Sequence, residues 1–153
     1  MSEPLKRQSI VPRMDGIMRD VEKLKKLSAV PFDGFRSSDE DYFALSQFYL
    51  RQALEGMFHI GEHILSRLPG GRATEYKDIA KKLGEFNVVD NEFAALALTK
   101  MAGYRNRLTH FYAEITPEEM YQIINHNLDD FTIFLKAVKN VLEHPEKFEL
   151  TVE

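Results

Sequence analysis

One short run of this chain, Tyr104-Arg105-Asn106-Arg107-Leu108-Thr109-His110-Phe111-Tyr112, gathers guanidinium, amide, imidazole and phenol groups. A guanidinium holds the charge of a phosphate, and an imidazole moves protons near neutral pH. Together they are what phosphodiester chemistry needs. Residues on an ideal helix advance about 100° each, so Arg105 and His110 lie roughly 140° apart and do not aim at one phosphate from a straight helix. Asn106 and His110 are neighbours on one face, where the amide can bond the imidazole and fix its tautomer. Arg105 shares a face with Tyr112. Either the helix distorts near His110, or the two residues meet across a dimer.

The elements that must position this run are all helical. The spacing of Ile17, Val21, Leu24 and Leu27 predicts a first helix from about Val11 to Val30, ended by Pro31-Phe32-Asp33-Gly34. Ser37-x-x-Glu40 resembles a capping box opening a second helix from about Asp39 to Leu68, which Pro69-Gly70-Gly71 stops. Its apolar residues, from Tyr42 through Leu65, cover more than one face, which suggests that one side meets the core and the other a second subunit. Thr74 is the expected N-cap of a third helix to about Phe86, and Asp90 that of a fourth. The fourth carries Phe93, Leu96, Ala97, Met101, Tyr104, Leu108 and Phe111 on one stripe. Thr116-Pro117-Glu118-Glu119 opens a fifth, reaching His144-Pro145. The expectation is an all-α, up-and-down bundle of about five helices and a homodimer with a composite cleft. It is one domain over residues 1–153, with its core at about 11–143 and a loose tail at 144–153.

Composition narrows the classes. The 153 residues are 44% hydrophobic and 29% charged, the balance of a soluble globular domain, with no apolar run of transmembrane length and no secretory leader. The absence of cysteine excludes disulfides and thiolate metal sites and fits a reducing, cytoplasmic setting. A net charge of -4 argues against a broad nucleic-acid footprint, so any RNA contact is local or sharpened by assembling two copies of a small basic patch. Lys100 and Arg107 flank Arg105 and are candidates to steer RNA, and Tyr104 either stacks on a base or fills an interface.

Other constellations carry less. His59-Ile60-Gly61-Glu62-His63 matches an inverted zinc-protease motif, but no third ligand stands out and Gly61 reads as a packing gap, so no metal is assigned. Gly70-Gly71-Arg72 lacks the Lys-Ser/Thr of a phosphate loop. Lys23-Leu24-Lys25-Lys26 reads as a solvated helix face.

The block Gly103 to Tyr112 resembles the Arg-x4-His-x-Tyr signature of the HepT-like toxins in the HEPN superfamily. The likeness extends through Leu50-Arg51-Gln52-Ala53-Leu54-Glu55-Gly56, His63-Ile64-Leu65 and Asn125-His126-Asn127-Leu128-Asp129-Asp130-Phe131, covering roughly residues 40 to 143. Tyr104 stands where phenylalanine is more usual. The resemblance implies a metal-independent, dimeric endoribonuclease needing no cofactor. Arg105 would bind the scissile phosphate, His110 would act as general acid or base, and Asn106 would orient His110. It further implies a nucleotidyltransferase antitoxin as partner, with Tyr112 as the residue that partner adenylylates. The alternative reading is a non-catalytic adaptor that binds a nucleotidyltransferase or a nucleotide.

Overall fold

In the computed structural model, which describes residues 3–37, 39–110 and 114–153, the chain is a helical bundle, and no strand forms among the described residues. Helix α1 (Arg7–Ser28) starts earlier than expected and encloses Pro12. The residues before it explain why. Leu5 is fully buried and donates its N–H to the Thr151 carbonyl at 2.8 Å, and the Lys6 N–H donates to His63 Nε2 at 3.1 Å. The chain is anchored before the helix begins, so proline near its start removes one donor without ending it. The one-turn helix α2 (Phe32–Phe35) brings Phe35 against Phe43 and Tyr121, with ring centroids 6.2 and 5.1 Å apart.

Helix α3 (Tyr42–Ser66) is buried along two sides, through Leu50, Ala53, Leu54, Met57, Phe58, Ile60, Ile64 and Leu65. Both sides are covered within the chain, by α1 on one and by α4 (Tyr76–Glu85) on the other. Glycines permit the close approach. A Cβ on Gly56 would stand 3.3 Å from Ile17 Cγ1, and one on Gly61 would stand 2.9 Å from Leu83 Cδ1. The double-sided apolar pattern therefore does not by itself call for a second subunit. What it leaves outside is Leu45 and Phe48, 40% and 57% exposed.

Two expected caps are not used. Helix α3 begins after Asp41, and the Ser37 hydroxyl instead accepts the Asp39 N–H at 3.2 Å. Helix α4 begins after Glu75, leaving Thr74 outside it. Short hydroxyl side chains serve local turns as readily as helix starts, and at Ser37 the turn prevails. Asp90 and Thr116 do cap: Asp90 Oδ2 accepts from Phe93 N–H at 3.3 Å and Thr116 Oγ1 from Glu119 N–H at 3.2 Å.

The fourth expected helix is not regular. It opens as α5 (Asn91–Phe93), passes through a π turn (Ala94–Leu98) and continues as α6 (Thr99–Thr109). The Thr99 N–H and hydroxyl both donate to the Ala94 carbonyl, the hydroxyl at 3.0 Å. A π turn holds an extra residue and rotates what precedes it. The expected stripe is corrected accordingly: Leu96 is 66% exposed, while Ala94, Leu98, Met101 and Ala102 are buried.

The fifth expected helix is two, α7 (Pro117–His126) and α8 (Asp129–Glu143). Asn127 is a weak helix former, and Asp129 and Asp130 suit a new first turn, where carboxylates meet free amides. The tail after His144 is not loose. It forms a 3₁₀ turn (Pro145–Phe148), buries Leu150 and pairs Val152 with Leu5 in an isolated parallel bridge. No helix among the described residues is long and apolar enough to cross a membrane.

Candidate active site

Helix α6 stops one residue short of the imidazole. The Thr109 hydroxyl donates back to the carbonyls of Arg105 and Asn106, at 3.1 and 3.0 Å, and His110 follows with extended backbone (φ -116°, ψ 118°). The helix ends before His110, and that break lets both side chains line one cleft within the chain. Arg105, Asn106 and His110 line one cleft of about 530 Å³, whose other wall is Thr74, Glu75, Tyr76 and Lys77 at the start of α4. Breaking the helix also breaks the Asn106–His110 register. Asn106 and His110 both line the cleft.

Arg105 is held loosely for a mostly buried guanidinium. Its side chain is 21% exposed, its Cζ lies 4.0 Å from the centroid of the Tyr76 ring, and its Nη2 is 3.7 Å from Glu55 Oε1. Its Nε is buried with no hydrogen-bond partner among the described residues. Stacking fixes the plane of the fork while leaving its edge available, and a buried donor without an acceptor costs about 1–3 kcal/mol. Glu55 is itself shared, accepting from Arg51 Nε at 3.1 Å.

Arg107 is the opposite case. Both ends of its fork reach Glu119 of α7 at 2.7 Å, and Nη2 also donates to the Glu114 carbonyl at 3.1 Å. These hydrogen bonds, reinforced by the opposite charge, raise the Arg107 pKa and hold the Glu119 carboxyl below its ordinary value. Its geometry is that of a strut between α6 and α7. Tyr104 is buried, only 8% exposed, so its ring is a packing group and not a stacking platform. Lys100 is exposed, with its ammonium 5.9 Å from the Tyr104 ring, and it does not line the cleft. Phe111 and Tyr112 lie outside the described residues.

The zinc-like motif resolves differently. His59 is exposed, whereas His63 accepts the Lys6 N–H, and burial, helped by Arg67, His59, Arg13 and Lys6, pushes its pKa down to about 4. That ring is a neutral acceptor tying α1 to α3. Two residues that hold Arg105 were not singled out in the sequence, Glu55 and Tyr76. Glu55 falls inside the segment that carries the family resemblance, and Tyr76 reads there as one more inward-facing aromatic.

The architecture has solved counterparts. A Shewanella oneidensis HEPN toxin, tri-AMPylated and in complex with an MNT antitoxin, aligns with a TM-score of 0.77 at 21% identity, covering 86% of this chain and 96% of that one. A toxin–antitoxin complex with AMP-PNP gives a TM-score of 0.72 at 19% identity, over 86% and 98% of the two chains. The fold is therefore that of HEPN toxins. Matching over residues 17–138, the chain belongs to the ribonuclease HepT-like family. Similar proteins include the tRNA nuclease HepT of Aphanizomenon flos-aquae (strain 2012/KM1/D3), 26% identical over 133 residues, or 87% of this chain and 89% of the relative. The mRNA nuclease HepT of S. oneidensis is 27% identical over 90 residues, or 59% of this chain and 67% of the relative.

Proposed function

We propose that this chain is an endoribonuclease toxin of a toxin–antitoxin system and that Arg105 and His110 carry its chemistry. The supporting observation is their convergence on one cleft in a member of this family. In the reaction, the ribose 2'-oxygen loses its proton and attacks the adjacent phosphorus. The bond to the 5'-oxygen breaks, leaving a 2',3'-cyclic phosphate and a 5'-hydroxyl. Arg105 binds the phosphoryl oxygens as negative charge builds on them, the electrostatic contribution that fixed donors make. His110 carries one of the two proton transfers, taking the proton from the 2'-hydroxyl or giving one to the departing 5'-oxygen, and water carries the other. Asn106 acts from the cleft wall, by contact with the substrate or by bonding His110 once substrate is bound. Arg105 supplies the charge and His110 and water the proton transfers, so the proposed step needs neither metal nor cofactor.

Silencing follows the same chemistry. The Shewanella toxin solved with its antitoxin is AMPylated. On this chain, Tyr112 stands two residues after His110, and we assign it as the acceptor of nucleotide from a nucleotidyltransferase antitoxin. Added phosphates would compete for Arg105. A homodimer is part of the proposal, with Leu45 and Phe48 as apolar surface for a second copy. Sedimentation of the wild type and Phe48→Glu tests it. Cleavage is tested with Tyr112-unmodified protein, verified by mass spectrometry, and a mixed RNA pool in excess EDTA. Cyclic phosphate ends are expected. A stable complex with the antitoxin and no cleavage under any condition would favour the adaptor reading.

A further inference from the structure

The residues expected to guide RNA are elsewhere engaged or elsewhere placed: Arg107 is bonded to Glu119, Tyr104 is buried, and Lys100 is off the cleft. The wall facing Arg105 is the start of α4, and it carries a different cation. Of the lysines on that helix, Lys81 lies 3.8 Å from Glu85, and Lys82 donates to the Arg72 carbonyl at 2.7 Å with Asp78 at 4.0 Å. Lys77 is exposed, forms no ion pair among the described residues and lines the cleft with Arg105, Asn106 and His110.

We propose that Lys77 is a second phosphate-binding position, taking the phosphodiester next to the one held by Arg105, so that single-stranded RNA runs between α4 and the end of α6. Three features support this. Arg105 is restrained by stacking on Tyr76, the neighbour of Lys77, so the two cations sit on a shared framework. The cleft of about 530 Å³ is open, and both cations are on its lining. Glu55, 3.7 Å from Arg105, already offsets that guanidinium, and Glu75 is on the lining, so Lys77 is the cation of the cleft that has no ion pair among the described residues. Local positive charge of this kind gives salt-dependent binding without sequence preference. The flexible ammonium of lysine suits a neighbouring phosphate whose position shifts with the base, whereas the fork of Arg105 suits a fixed one.

This inference rests on the ribonuclease reading, and the experiment separates the two. Binding of a single-stranded oligoribonucleotide to His110→Ala protein is measured in EDTA at several salt concentrations, with and without Lys77→Ala, Lys77→Arg or Lys81→Ala. Cleavage by the wild type and by Lys77→Ala alone is measured in parallel. Lys77→Ala should weaken binding about two- to fivefold, the range of an exposed ionic contact, and reduce the slope of log affinity against log salt by about 0.7. Lys77→Arg should restore both, and Lys81→Ala should change neither. In the cleavage assay KM should rise for Lys77→Ala with kcat retained. If the wild type cuts RNA and the Lys77→Ala affinity and salt slope are unchanged, Lys77 is not a phosphate site and the ribonuclease reading stands. If the wild type neither binds nor cuts, both fall. Loss of antitoxin binding in Lys77→Ala with RNA affinity unchanged would make this wall a protein contact and overturn the inference.

Discussion

Arg105 and Arg107 stand on the same last turns of α6, yet they face different worlds. Arg107 points to α7, where Glu119 takes both ends of its fork at 2.7 Å and the Glu114 carbonyl takes a further bond. Arg105 points to α3 and α4, where an aromatic ring, one carboxylate oxygen at 3.7 Å and a buried Nε without an acceptor hold it. Hydrogen-bond saturation distinguishes them. A guanidinium whose donors are spent within the protein stabilises the fold, and one whose donors are held open has capacity for a ligand.

The sharpest way to break this distinction is to remove each arginine in turn. Arg105→Ala should lower kcat/KM by on the order of 10²–10³ and leave the melting temperature near that of the wild type, since it removes a loosely held group. Arg107→Ala should do the reverse, costing about 1 kcal/mol, or roughly 2–4 °C in melting temperature, with most activity kept. Equal losses of activity from both would erase the distinction. Glu55→Gln sharpens it further. With the carboxylate neutralised, Arg105 keeps its ring but loses its charge partner, and a severalfold change in KM for RNA is expected with little change in the pH profile of kcat.

How much of this was legible in the sequence depends on the distance over which each feature is decided. Caps at Asp90 and Thr116 were readable because acceptor and donor are three residues apart. The Arg105–His110 pair was readable as chemistry, and the helix period left two ways for it to meet, a distorted helix or a dimer; where α6 ends could not be read, because the period assumes no end. The π turn was invisible for a related reason: Leu96 is placed correctly only if the period is known to slip at Ala94–Leu98. The fates of Arg105 and Arg107 were unreadable because Tyr76, Glu55 and Glu119 come from three other helices. The anchored tail was missed because its partner, Leu5, lies at the far end of the chain.

The same contrast between committed and open groups extends to the histidines, with smaller effects on pH dependence. His63 is committed as an acceptor between α1 and α3, and its pKa is lowered from 6.5 to about 4. The unfolded chain then binds the extra proton first, so stability present above about pH 6.5 is lost as pH falls toward 4. His63→Gln, which keeps an acceptor without the titration, should flatten thermal stability over that window while leaving cleavage unaltered. Asp20, buried on α1, has the opposite sign. Burial raises its pKa from 3.8 to about 6 against the pull of Lys23 and Arg19. The folded state holds the proton longer, so this group removes stability as pH rises from about 4 to 6. Asp20→Asn should therefore gain in melting temperature relative to the wild type above pH 6 and not below pH 4.

The central claim is that the Arg105–His110 cleft cuts RNA and that the neighbouring Arg107 only holds it in place. The most direct measurement is single-turnover cleavage of one oligoribonucleotide in excess EDTA by wild type, His110→Ala and Arg107→Ala, with the product ends identified. The account predicts cyclic phosphate ends from the wild type and Arg107→Ala, and a loss of about 10²–10⁴ for folded His110→Ala. Wild-type rates from folded His110→Ala would contradict it.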